Sequence, residues 1–130
     1  MNPHLVLLLT NDRHFENQLS KALLEADGSV VLVARNVGDA LQIVCARGRE
    51  LDLAVIDFDQ GRHGMTLLIA IDMCRQELPI VVVASSDTYH TAALAYANGA
   101  EACLAKAITP TELEMAIRQL RQPKLELAAA

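Results

Sequence analysis

Three charged residues stand where apolar runs end. Asp12 follows Leu5-Val6-Leu7-Leu8-Leu9 by three positions, Asp57 closes the run that begins at Leu51, and Lys106 follows Ala100–Ala105. Carboxylates gathered at one place repel each other unless they share a proton or a divalent cation. A hard, oxygen-seeking ion such as Mg²⁺ suits one or two carboxylates completed by a backbone carbonyl and waters. A lysine a few ångströms away balances a phosphoryl group as a point charge. Brought together, these residues describe an aspartate that accepts a phosphoryl group, with Asp57 as nucleophile, Asp12 and Asp57 on the metal, and Lys106 as counter-charge. The plainer alternatives are that Asp57 opens a turn or caps the next helix, and that Lys106 is a solvated lysine at a strand end.

Whether the three meet depends on the elements that carry them. Leu51-Asp52-Leu53-Ala54-Val55-Ile56-Asp57-Phe58 is rich in Val, Ile and Leu, is bounded by Arg49-Glu50 and by the turn-rich 59–64, and reads as a strand buried on both faces. Leu5–Leu9, Val30–Ala34, Ile80–Ala84 and Ala100–Ala105 read the same way. Between them, apolar residues at steps of three and four predict helices. The first runs through Phe15, Leu19, Ala22, Leu23 and Ala26 to Asp27-Gly28, the second through Val37, Ala40, Leu41, Val44 and Cys45 to Gly48. The third runs through Met65, Leu68, Ile69 and Met73 and stops at Leu78-Pro79. Ser85, Ser86 and Asp87 are available to cap a fourth, through Ala93 and Ala97 to Asn98-Gly99. Thr109-Pro110-Thr111-Glu112 reads as a capping box with proline at the first helical position, opening a fifth through Leu113, Ala116, Ile117 and Leu120 that stops before Pro123. Residues 1–121 are thus expected to form one domain, and 122–130 a tail or the start of a linker.

Strands alternating with helices predict a doubly wound α/β fold. With right-handed crossovers, the usual order of five parallel strands is 2-1-3-4-5, the flavodoxin-like arrangement. That order sets the first and third strands side by side. Asn11, Asp12, Asp57, Ala84 and Lys106 then arrive at one carboxyl edge, where open α/β sheets bind ligands.

Composition narrows the function. Hydrophobic residues make up 52% and aromatic residues 3% of the 130, so the core is aliphatic. A net charge of −5 and scattered arginines give no nucleic-acid footprint. No apolar run reaches the roughly 18 residues of a membrane span, and no signal-peptide pattern opens the chain. Cys45, Cys74 and Cys103 lack CxxC spacing and read as small buried residues in a reducing compartment, which places the protein in the cytoplasm. His4, His14, His63 and His90 show no metal-ligand spacing. No glycine-rich turn follows the first strand, few aromatics are available to stack on a flavin, and no nucleophile elbow is present.

Taken together, the order of elements, Asp-Leu-Ala-Val-Ile-Asp57-Phe, Leu78-Pro79-Ile-Val-Val-Val, Ala-Asn-Gly99-Ala-Glu-Ala-Cys-Leu-Ala-Lys106 and Thr-Pro-Thr-Glu-Leu resemble the receiver domain of two-component response regulators over about residues 4–121. The resemblance implies that Asp57 takes a phosphoryl group from a histidine kinase or phosphotransfer protein. It implies Mg²⁺ held by Asp12, Asp57 and the backbone carbonyl of Asp59, and Lys106 beside the phosphoryl group. It further implies partner or homodimer contacts through the face of the fourth helix, fifth strand and fifth helix, with Tyr89 an exposed candidate, and no enzymatic activity beyond phosphorylation and dephosphorylation of Asp57.

The sequence also departs from that family. Where an acidic pair follows the first strand, it has Thr10-Asn11-Asp12. Counting from the glycine after the first helix aligns the pair with Asn11-Asp12; counting from the helix leucines aligns it with Thr10-Asn11. The Ser/Thr position of the fourth strand falls on Ala84, with Ser85 expected on the other face. The aromatic of the fifth strand is Cys103, Lys106 is followed by Ala107 rather than proline, and the loop after Asp57 has Gly61 for proline and is one residue short. Two readings follow: an atypical phosphoryl-accepting receiver, or a pseudo-receiver that binds partners without phosphorylation. A small-ligand or flavin domain of the same topology is a third.

Overall fold

The computed structural model describes residues 4–60, 62–74, 77–85, 88–107 and 109–121. The apolar runs form strands β1 (Leu5–Leu9), β2 (Val30–Ala34), β3 (Leu51–Asp57), β4 (Ile80–Ala84) and β5 (Ala102–Ala105). They alternate with helices α1 (Arg13–Asp27), α2 (Val37–Arg47), α3 (Arg62–Cys74), α4 (Thr88–Ala97) and α5 (Pro110–Arg121). The strands make one parallel sheet in the order β2-β1-β3-β4-β5, the flavodoxin-like order expected.

Side chains that alternate across the sheet feed two apolar layers. Leu53 and Val55 of β3 pack with Phe15, Leu19 and Leu23 of α1 and with Leu113 and Ile117 of α5. Ala54 and Ile56 pack on the opposite face with Ala40, Val44, Leu67, Leu68, Ile71 and Ala95 of α2, α3 and α4. The register of β1 on β3 shifts between Leu5 and Val6, setting Leu51 and Leu53 against successive β1 residues. Asp52 falls in that irregularity, where its carboxylate accepts from the Leu5 N–H at 3.0 Å and pairs with His4 Nδ1 at 2.9 Å. Strand β3 is therefore anchored at its amino end and clamped on both faces, and Asp57 leaves it in a fixed place.

Helix ends follow the predicted chemistry. Asp12 caps α1 by accepting from the Phe15 N–H at 3.1 Å, and Gly28, at φ 72°, ends it in the left-handed region. At α5, the Thr109 hydroxyl accepts from the Glu112 N–H at 3.2 Å with Pro110 first in the helix. Elsewhere the expected outline is corrected. The turn-rich segment after Asp57 is a short 3₁₀ helix, Phe58–Gln60, and α3 begins at Arg62, three residues before the first predicted apolar position. On α3 the buried face is Leu67, Leu68 and Ile71, whereas Met73 is 78% exposed, because the apolar residues of this helix outnumber the positions that face the sheet. Cys45 and Cys74 are exposed and Cys103 is half-buried, against the expectation of three core cysteines. Cys45 directly follows the buried Val44, and one residue along a helix turns a side chain through about 100°, out of the core. Strand β5 starts at Ala102 rather than Ala100. Gly61, the cap candidates Ser86 and Asp87, the side chain of Tyr89, Pro123 and the tail at 122–130 lie outside the described residues. Among the described residues no helix is long and apolar enough to cross a membrane.

Candidate functional site

Strand β3 delivers Asp57 to the carboxyl edge with its side chain 1% exposed. A buried carboxylate is costly unless its oxygens find donors, and here both do. Its Oδ2 accepts from the Thr10 hydroxyl at 2.6 Å and from the Lys106 ammonium at 2.7 Å, and its Oδ1 accepts from the Asp59 N–H at 2.9 Å.

Lys106 reaches the site because β5 pairs with β4 and the Lys106 N–H donates to the Ala84 carbonyl, extending the pairing one residue past the strand. Its Nζ lies 2.7 Å from Asp57, 3.0 Å from Asp12 and 3.1 Å from Asp59, and 5.6 Å from the ring centre of Phe15. Desolvation alone would lower the lysine pKa, but hydrogen bonds to Asp57, Asp12 and Asp59 outweigh it and hold the ammonium well above the ordinary lysine range. Asp12 is shifted down, first by the N–H of Phe15 that it caps and then by Lys106. For Asp59 desolvation pushes up, yet hydrogen bonds from the Ser85 backbone and hydroxyl and from Lys106 leave the carboxyl below its usual value.

A second layer holds the first. The Thr10 hydroxyl, on a residue with no exposed surface, donates to Asp57 and accepts from the Asp12 N–H at 3.0 Å. The Thr10 carbonyl in turn accepts from Arg35 Nη1 at 3.1 Å, and Arg35 Nη2 pairs with Glu16 of α1 at 2.6 Å. Arg35 follows the carboxyl end of β2, so the strand order itself brings it beside β1.

The structure thus gathers Asp57, Asp12, Asp59, Lys106 and Thr10 at one point. Asn11 turns away, and its amide donates to the Arg35 carbonyl at 3.3 Å. Between the two alignments left open by the sequence, the geometry puts Thr10 and Asp12 on the crevice and Asn11 outside it. Asp59, expected to matter through its backbone carbonyl, also brings its carboxylate onto Lys106. Ser85, expected on the far face, bonds Asp59 instead, through its N–H at 3.0 Å and its hydroxyl, because β4 and its alternation end at Ala84. Ala84 is buried and offers no hydroxyl. Cys103 packs partly against the layer containing Ala95, its N–H donates to the Tyr96 hydroxyl at 3.2 Å, and burial raises its thiol pKa. Sequence reasoning missed Arg35, Glu16 and the Phe15 ring; the signal for Arg35 was its place just beyond an apolar strand adjoining β1.

The donor set has the chemistry of a hard-cation site. Three carboxylates and one ammonium leave a surplus of negative charge at the crevice. Among the described residues no three acidic, histidine or cysteine side chains form a ready metal cage. One or two carboxylates with waters are the donors that a hard cation such as Mg²⁺ takes.

Comparison with known proteins bears on the fold and the family. The family profile described as "Response regulator receiver domain" matches residues 6–118. A response regulator from Thermotoga maritima superposes with a TM-score of 0.82 at 18% identity, covering 92% of this chain and 98% of that one. A putative response regulator from Chloroflexus aurantiacus J-10-fl gives 0.81 at 24% identity over 92% and 98%. NtrX from Brucella abortus, solved in complex with ADP, gives 0.80 at 20% identity, covering 91% of this chain and 26% of that longer one. A search of curated proteins finds no match. At these identities the solved structures speak for the fold, and the profile over nearly the whole chain speaks for kinship: the chain belongs to the receiver domains of response regulators, the modules of two-component signalling that receive input from histidine kinases or phosphotransfer proteins.

Proposed function

We infer that Asp57 accepts a phosphoryl group, with Mg²⁺ held by Asp12, Asp57 and the backbone carbonyl of Asp59. The observation that carries this reading is Lys106, whose ammonium contacts Asp57, Asp12 and Asp59 at 2.7, 3.0 and 3.1 Å beside a nearly inaccessible nucleophile. When bound, Mg²⁺ supplies positive charge to the phosphoryl oxygens. A carboxylate oxygen of Asp57 attacks phosphorus, the bond from phosphorus to the donor nitrogen breaks, and the nitrogen leaves with the electron pair. Lys106 then exchanges its contact with Asp57 for one with the transferred group. The exposed apolar residues Leu94 and Tyr96 of α4 and Met115 of α5 suit partner contacts on the face around β5.

A second reading, the phosphorylation-independent interaction module, is favoured by one observation: both oxygens of Asp57 are already engaged, and Thr10 and Lys106 close it from solvent. Titration with Mg²⁺ and then beryllofluoride, followed by amide chemical shifts, separates the two. The first reading predicts shifts at Asp12, Asp57, Asp59 and Lys106 that vanish in Asp57→Asn. A silent spectrum in folded protein would establish the second.

A further inference from the structure

We propose that β2 is the pairing edge through which two copies of this chain join their sheets antiparallel about a two-fold axis. A five-stranded open sheet has two edges, here β2 and β5, and this chain treats them differently. Edge strands expose backbone donors and acceptors, and soluble proteins blunt them with shortness, charge, proline, bulges or covering groups. Strand β5 has four residues, and the Tyr96 hydroxyl is bonded to the N–H of its Cys103. Strand β2 is Val30-Val31-Leu32-Val33-Ala34, five apolar residues with no charge, proline or glycine, and among the described residues it pairs only with β1. Val30 is 44% exposed, and Leu24, at the end of α1, is 62% exposed.

The hydrogen-bond parity fixes how a second strand can pair with this edge. The Val30 N–H donates to the His4 carbonyl at 2.8 Å and the Thr10 N–H to the Ala34 carbonyl at 3.1 Å. In a parallel ladder that parity commits the backbone of Val30, Leu32 and Ala34 to β1 and turns that of Val31 and Val33 outward. Set a second copy antiparallel with its Leu32 opposite Leu32. Val31 of each copy then faces Val33 of the other as a hydrogen-bonded pair, so all the outward groups are satisfied. Leu32 meets Leu32 at the axis as a non-hydrogen-bonded pair, and Val30 meets Ala34. No charged residue lies within the paired strands, so no like charges meet, and at the flanks Arg35 falls opposite Ser29. The same five residues thus complement themselves in apolar surface and in donor–acceptor pattern, which makes a second copy the fitting occupant. The pairing extends the sheet away from β5, so the surface around β5 stays free for other partners.

Sedimentation of the whole chain over a range of concentrations tests this, with two variants. Val33→Pro removes an outward N–H without touching the β1 ladder, a position where an edge strand tolerates proline. Val30→Lys puts a charge at an exposed edge position and keeps the test decisive if the proline variant does not fold. The expected result is a concentration-dependent dimer whose dissociation constant rises at least about tenfold in either variant, through a lost edge hydrogen bond in Val33→Pro and a charge set into the apolar pairing in Val30→Lys. In a Cys45→Ser, Cys74→Ser background, Leu32→Cys is expected to oxidise to a covalent dimer and Val33→Cys is not, since only position 32 meets its own copy. A protein monomeric at every concentration, a dimer untouched by Val30→Lys, or equal cross-linking at 32 and 33 would overturn the proposal; a dimer formed instead through the β5 face would show the second of these.

Discussion

At the scale of single residues, the site turns on how much negative charge one ammonium holds. Lys106 has a side chain 11% exposed and faces a carboxylate at 1%, so the pair is screened little by water. Removing one partner of such a pair strands the other's charge, which costs roughly 3–5 kcal/mol in comparable buried pairs. Lys106→Met is therefore expected to lower unfolding stability at neutral pH by about that much. Combining it with Asp57→Asn should cost clearly less than the two single losses added, as residues that share one interaction do. Urea unfolding of the four proteins measures this, and additive losses would show that the ion pair is not coupled. The same cluster sets a pH window. Asp12 and Asp59 are lowered from 3.8 on folding, so the stability they confer is present above that value and lost as pH falls through their folded pKa values. Lys106 is raised from 10.5, so its contribution is full below that pH and lost as pH rises through its higher folded value. Stability at fixed urea should plateau between these limits and fall on both sides, with the alkaline fall absent in Lys106→Met.

At the scale of elements, positions without side chains test how tightly helices and strands are joined. Gly28 at φ 72° ends α1 with open space where a Cβ would be, so Gly28→Ala meets only the conformational cost of the left-handed region, about 1–2 kcal/mol. Gly99, at φ 109° between α4 and β5, is different: a Cβ there would collide with the carboxylate of Asp72 on α3. Gly99→Ala should be the costlier change in thermal unfolding, and adding Asp72→Ala should return part of the loss. Equal costs at 28 and 99 would mean that α3 does not press on the turn into β5. Elements of this kind were legible in the sequence where local chemistry decides them. Gly28, the Thr109-Pro110 start of α5 and the buried runs of β1, β3 and β4 each need only their own residues. What was not legible depended on neighbours. The 3₁₀ turn at Phe58–Gln60 forms where the Asp59 N–H bonds Asp57, and the exposure of Cys45 and Met73 depends on which part of an apolar helix the sheet leaves uncovered.

At the scale of the molecule, strand order does most of the work. Asp12, Asp57, Asp59 and Lys106 come from three separate stretches, and only the order β2-β1-β3-β4-β5 makes their strand ends converge. Because that order follows from alternating strands and helices with right-handed crossovers, the crevice and its principal charged residues could be placed from sequence. The supporting shell could not. Thr10 read as a lost acidic position, yet its buried hydroxyl joins Asp57 to the cap of α1; Arg35 is marked only by its place beyond β2, and the contact of Ser85 with Asp59 depends on β4 ending at Ala84. The departures at Thr10, Ala84 and Cys103 leave Asp57, Lys106 and the carboxylates of Asp12 and Asp59 together at the crevice. The most direct test is to incubate the protein with a small phosphodonor, with and without Mg²⁺, and map any adduct by mass spectrometry of the intact chain and its peptides. The account predicts one phosphoryl group on Asp57, dependent on Mg²⁺ and lost in Asp57→Asn; a folded protein that takes up none, or takes it up elsewhere, would contradict it.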